Sequence, residues 1–121
     1  MTARGLLFVA LGGALGSVAR YLGAASLNRL LGPSFPYGTL AVNVLGSFAI
    51  GVVAASRLGA HVETRLFLMT GVLGGFTTYS AFNEETLVAF RAGRPLLALL
   101  YVATTLLVCL AAGFAGAAAA R

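Results

Sequence analysis

The chain has 121 residues, 60% of them hydrophobic and 9% charged, and its mean hydropathy is +0.96, which excludes an ordinary soluble domain with its roughly 25% charged residues. A crossing needs about 20 apolar residues, so the length holds four spans or at most five and leaves no room for a soluble unit. The formal net charge of +5 comes from scattered residues, all eight of them Arg, without the basic run that grips nucleic acid.

Hydropathy divides the chain into four spans, about residues 5–31, 37–55, 66–90 and 95–120, within one transmembrane domain over 1–121. The fold class is therefore an all-α, multi-pass membrane protein. Its start imitates an export signal, but apolar character resumes at Tyr21 and no polar mature segment follows, so it reads as the first span. Gly12, Gly16 and Arg20 recur at four-residue spacing there, with Gly13 and Gly23 nearby. One face is thus nearly bare backbone that another helix can approach. A charge at mid-membrane costs at least about 2.5 kcal/mol. Arg20 is accordingly either an anchor that snorkels to the interface or a cation at the mouth of an anion pathway.

Gly32-Pro33-Ser34-Phe35-Pro36 separates the first span from the second. In the second, Thr39, Asn43 and Ser47 share one helical face. An amide is rarely left facing lipid, so Asn43 either bonds a neighbouring helix or lines a wet path. Arg57 to Arg65 joins the second span to the third, with the single His61 and Glu63 reading as solvated loop residues.

The third span carries the run Gly71-Val72-Leu73-Gly74-Gly75-Phe76-Thr77-Thr78-Tyr79-Ser80-Ala81-Phe82. Gly is about 1 kcal/mol worse than Ala inside a helix, and Thr competes for backbone bonds through its hydroxyl. Two of each, so closely spaced, predict a break over residues 74–78. Backbone freed at membrane depth needs protein, water or an ion, so such a break normally lines a cavity or a site. The alternative is that Gly74 and Gly75 only allow close helix packing. Tyr79 and Phe82 come next on one face, either packed or presenting the positive edges of their rings to a small anion. Glu84 and Glu85 end the apolar part.

Arg91-Ala92-Gly93-Arg94-Pro95 turns into the fourth span, with Pro95 suited to a first helical position. That span repeats the polar device with Tyr101, Thr105 and Cys109, leading to Gly113. Two polar stripes and one broken helix call for a common interior, which favours a pathway over independent helix contacts. Four spans put Arg4, Arg57, Arg65 and Arg121 on one side and Arg29, Arg91 and Arg94 on the other. So even a split gives the positive-inside rule no preferred orientation, as a dual-topology protein requires. Chains inserted both ways can pair as an antiparallel homodimer through their glycine faces.

Three stretches, residues 12–21, 38–48 and 74–82, resemble the signatures of the Fluc or CrcB fluoride channels, and the likeness runs over essentially the whole chain. The resemblance implies a fluoride-selective channel in the bacterial inner membrane that lets toxic cytoplasmic fluoride leak out. It implies an antiparallel homodimer with two pores, and a structural Na+ on the dimer axis held by the backbone carbonyls of Gly74 and Thr77. By position, Asn43 would donate its amide to fluoride and Tyr79 and Phe82 would form the aromatic pair. Thr39, Ser80, Tyr101 and Thr105 would line the polar route, with Glu85 at the pore end. Two positions depart from the pattern: Tyr79 stands where Phe is usual, and Ala81 where a hydroxyl residue is common.

The chemistry is coherent on its own terms. Fluoride is compact and strongly hydrated, so a pore must replace its water with donors yet release it. Hydroxyls, an amide and ring edges do so without a fixed full charge. A small proton-coupled multidrug exporter would want a carboxylate inside a span, and the first two spans contain none. A non-transporting assembly protein would use the glycine faces alone. No nucleophile and base pair, metal cluster or phosphate loop points to an enzyme.

Overall fold

The computed structural model describes residues 2–121 and is helical almost throughout, with no strand among them. Helix α1 runs over Ala3–Leu31, α2 over Tyr37–Ala55, α4 over Tyr79–Arg91 and α5 over Pro95–Ala119. Between α2 and α4 lies α3, which is composite: α-helical over Val62–Arg65, π-wound over Leu66–Leu73 and α-helical again over Gly74–Phe76. Three of these helices, α1, α2 and α5, are long and apolar enough to cross a membrane as single pieces. The third crossing is divided between α3 and α4.

Local sequence accounts for the ends. Thr2 caps α1, its hydroxyl accepting the Gly5 N–H at 3.1 Å. Gly32, with φ +80°, closes that helix and donates its N–H to the Asn28 carbonyl. The Asn28 side chain then reaches forward, its Oδ1 accepting the Gly38 N–H at 2.9 Å, so the end of α1 sets the start of α2. Pro95 stands at the first turn of α5. The segment between α2 and α3 is shorter and more ordered than the expected loop: a 3₁₀ turn spans Arg57–Ala60 and α3 already begins at Val62.

The helices meet backbone to backbone. A Cβ on Gly16 would run into the Val72 carbonyl of α3, and one on Gly116 of α5 into the Phe48 carbonyl of α2. Only glycine permits these two approaches. Two close pairs result, α1 against α3 and α2 against α5. The π-wound turns of α3 lie where it presses on α1, with the Gly12 and Gly71 backbones in contact; a widened turn shifts side-chain register by one residue. No sequence signal forecasts that winding.

The break lies within the expected residues 74–78 but is shorter. Gly74 and Gly75 remain helical, and only Thr77 (φ −82°, ψ 155°) and Thr78 (φ −149°, ψ 118°) are extended. Glycine in a helix costs little when its bare side lets a neighbour in, as Gly75 does with Ser17 of α1. The Thr pair turns the chain because Thr78 can cap α4: its hydroxyl accepts the Ala81 N–H at 3.2 Å.

The interior is thin and half polar. Val42, Val53, Leu73, Phe82, Ala98 and Tyr101 are buried, and so are Thr39, Asn43, Thr78 and Thr105. Most large aliphatic side chains, such as Leu15, Leu45, Leu99 and Leu107, point outward, as befits a chain whose solvent is lipid.

Candidate functional site

The buried polar residues collect around the break. Asn43 of α2 grips Thr78 on both backbone groups: the Thr78 N–H donates to Oδ1 at 2.7 Å, and Nδ2 donates to the Thr78 carbonyl at 3.0 Å. An amide carries two donor hydrogens, and this pairing uses one. Asn43 therefore holds the extended backbone and keeps an N–H for another acceptor.

On the other side of the break, Arg20 of α1 donates from Nε to the Gly75 carbonyl at 3.1 Å. The last carbonyls of a helix are unmet and carry partial negative charge. Arg20 answers one of them with a cation, so it neither reaches out to the interface as a free anchor nor stands apart from the break. It also lines a cavity of about 340 Å³ with Thr39, Thr78 and Glu85.

Two hydroxyls converge on Glu85 of α4. Thr39 donates to Oε1 at 2.6 Å and Tyr101 to Oε2 at 2.6 Å. Charge-assisted O–H bonds to carboxylate are of this length. Thr39 and Tyr101 are thus oriented as donors to an anion, with the Glu85 carboxylate supplying that anion from within the chain. Beyond them a cavity of about 380 Å³ opens among Ser34, Pro36, Glu84, Arg94 and Tyr101.

Phe82 is buried (6% exposed) and meets two rings edge-on, Tyr101 at 5.1 Å and Tyr79 at 5.4 Å between centroids. Tyr79 is itself 76% exposed. Both rings border a crevice of about 300 Å³ shared with Asn43, Ser47, Thr105 and Cys109. Thr105 borders it, and its hydroxyl, on a residue only 7% exposed, is buried with no hydrogen-bond partner among the described residues. An orphaned buried hydroxyl costs about 1–3 kcal/mol unless something fills its bond.

Residues 7–117 match the family described as CrcB-like protein, Camphor Resistance (CrcB). The chain belongs to the CrcB family. Among its relatives, one from Agrobacterium fabrum is 51% identical over 119 residues, 96% of this chain and 95% of the relative. Another, from Anaeromyxobacter dehalogenans, is 56% identical over 113 residues, 91% of this chain and 90% of the relative. A third, from Rhizobium meliloti, is 45% identical over 119 residues, 96% and 95% of the two chains. Each of these three bears the name fluoride-specific ion channel FluC.

Within this CrcB chain, the residues singled out from sequence fall into connected groups. Thr39, Tyr101 and Glu85 meet at one end, and Asn43, Tyr79, Phe82 and Thr105 border the crevice. Ser80 stays at the edge, exposed, its hydroxyl 3.2 Å from that of Thr78. At Gly74 and Thr77 the carbonyls lie beside the break, where the Thr77 N–H goes to the Leu73 carbonyl and the Thr78 N–H to Asn43. Neither break N–H closes on Gly74. Motif reading passes over Thr78, although its N-cap position before Tyr79-Ser80-Ala81 is legible.

Proposed function

We propose that this integral membrane protein is a fluoride-specific channel that lets fluoride cross passively and so drains it from the cytoplasm. Three names on relatives that span nearly the same length support the reading. The carrying observation in the chain is a crevice bordered by Asn43 with its spare N–H, by the Phe82 ring and by Thr105, whose buried hydroxyl has no partner among the described residues. A dehydrated fluoride would find three kinds of donor there. None bears a full charge that would trap the ion.

Entry from the opposite end would pass Glu85. There the anion competes with a tethered carboxylate for the Thr39 and Tyr101 hydroxyls, which are already aimed at negative charge. The working protein is an antiparallel homodimer of dual-topology chains in the bacterial inner membrane. The exposed Tyr79 ring supports this, because in one chain the crevice is open on that side. Arg20 helps by holding the end of α3 beside the route.

Gly74 and Thr77 fit a structural Na+. Their carbonyls lie at the C-terminal end of α3, where a cation is favoured, and Gly74 is exposed in the single chain. Two copies would offer four hard oxygen ligands, suited to an alkali ion rather than a transition metal. Bound there, the ion supplies positive charge that ties two helix ends together and favours anions nearby.

Purified protein in liposomes, assayed for fluoride efflux with a fluoride electrode, tests the function. Rapid efflux with fluoride and none with chloride is expected. A proton-driven exporter would move organic cations instead, and an assembly protein would move neither.

A further inference from the structure

The fourth span contributes the only cysteine of the chain, Cys109, two helical turns of the polar stripe beyond Tyr101 and one beyond Thr105. At a rise of about 1.5 Å per residue, its sulfur lies about 6 Å along α5 from the Thr105 hydroxyl. Cys109 is half-buried and free, and it borders the same crevice of about 300 Å³ as Asn43, Phe82 and Thr105. Two independent observations therefore coincide. One is a reduced thiol on the wall; the other is the unpartnered Thr105 hydroxyl, over nine-tenths buried, on the same wall. At about 300 Å³ the crevice has room for a small reagent beside Cys109.

We infer that Cys109 is a covalent modification site inside the conduction route, taken by small uncharged sulfenylating electrophiles, and that its modification plugs the channel. The inference rests on the fluoride route proposed above. The chemistry is a thiol exchange. The Cys109 proton passes to water, the thiolate attacks the sulfenyl sulfur of an alkylthiosulfonate, an S–S bond forms, and the sulfinate leaves with the electron pair of the broken S–S bond. No outside oxidant is needed, since the reagent carries the oxidised sulfur. The product places an alkylthio group one helical turn from Thr105, in a crevice also lined by side chains of α2, α4, the break and Leu106 and Leu110 of α5, so the group narrows the path that the guest takes. A reductant reverses the exchange and reopens the route.

The test treats wild-type protein in liposomes with methyl methanethiosulfonate and follows two readouts, intact mass and fluoride efflux. Because the chain has one cysteine, any adduct is at Cys109. The expected result is one methylthio group per chain, a fall in efflux of about tenfold or more as the route is occluded, and recovery on adding dithiothreitol. Cys109→Ser, compared with its own untreated rate, should gain no mass and lose no efflux. An adduct that forms with efflux unchanged overturns the inference, and so does a thiol that stays unmodified while the protein conducts. Absence of efflux from the untreated protein would instead count against the fluoride reading, while the mass would still report whether Cys109 is accessible.

Discussion

Asn43 and Thr78 are joined by two hydrogen bonds, one at 2.7 Å to the Asn43 carbonyl oxygen and one at 3.0 Å from its amide nitrogen. A side chain of α2 thereby replaces the partners that the Thr78 backbone lost when the third crossing broke. Asn43→Ala removes both at once and orphans a buried N–H and a buried C=O, each worth about 1–3 kcal/mol. The variant is expected to elute as aggregate or unfold at markedly lower temperature in detergent. Asn43→Asp keeps the acceptor for the Thr78 N–H, so it should fold better than Asn43→Ala while conducting poorly. Equal stability of the two variants and wild type would show that the break does not depend on this pairing.

The glycines differ sharply in what a methyl group would meet. At Gly116 it strikes the Phe48 carbonyl of the facing helix, whereas at Gly13 nothing among the described residues of the single chain lies within 4 Å. Gly116→Ala should therefore destabilise by about 1–3 kcal/mol, the usual cost of overpacking. Gly13→Ala should leave the folded chain intact. Thermal unfolding of both variants in detergent, read by loss of the monodisperse elution peak, checks the order; a more damaging Gly13→Ala would point to a second copy seated on that face.

How much of this is legible in the sequence depends on the kind of signal. The spans and their ends are, because hydropathy, Pro95 and the Gly-Pro run at 32–33 act locally. Two stripes suggest the grouping of Thr39 with Tyr101, but not Glu85 as their shared acceptor, since nothing in sequence relates positions that are joined only when α2, α4 and α5 pack. Reading four helix-weakening residues as one break puts its start at Gly74. Tertiary contact decides otherwise: Gly75 is worth keeping helical because Ser17 of α1 packs on its bare side. Sequence alone leaves Arg20 as an interfacial anchor or a pathway cation, and the bond to the Gly75 carbonyl gives it a different first task.

Insertion in both orientations is expected from the four-to-three division of arginines between the two sides. The one ion pair at these ends among the described residues, Arg4 with Glu63 at 3.1 Å, is exposed on both partners, so it contributes little and hardly alters the balance. Reporter fusions at Arg121 should signal from both sides of the membrane in comparable amounts. Signal from one side alone would exclude an antiparallel pair of identical chains.

The Na+ proposal predicts a dependence on the cation present. Replacing sodium by a bulky organic cation throughout purification should shift the protein from dimer to monomer, because carbonyls of Gly74 and Thr77 in two copies would then face each other unscreened. Restoring sodium should recover the dimer, and lithium should do so less well. A dimer indifferent to the cation would remove sodium from the account without touching the fluoride route.

Phe82 and Tyr79 separate conduction from packing. Phe82 is inside the chain between the edges of two tyrosines, so Phe82→Ile also forfeits aromatic contacts worth about 0.5–1.5 kcal/mol each. Some loss of stability is therefore common to both hypotheses and decides nothing. What decides is the efflux of the fraction that still elutes as folded protein. If ring edges take over part of the fluoride hydration shell, that fraction should conduct at least about tenfold more slowly, since Ile fills the space without a quadrupole. Tyr79→Phe is the complementary case. Its ring is 76% exposed and no hydrogen bond fixes its hydroxyl to the rest of the described chain, so the edge is kept and only a donor is lost. It should conduct at close to the wild-type rate. A folded Phe82→Ile variant with undiminished efflux would reduce Phe82 to a packing residue, and the donors of the crevice would then be Asn43 and Thr105 alone.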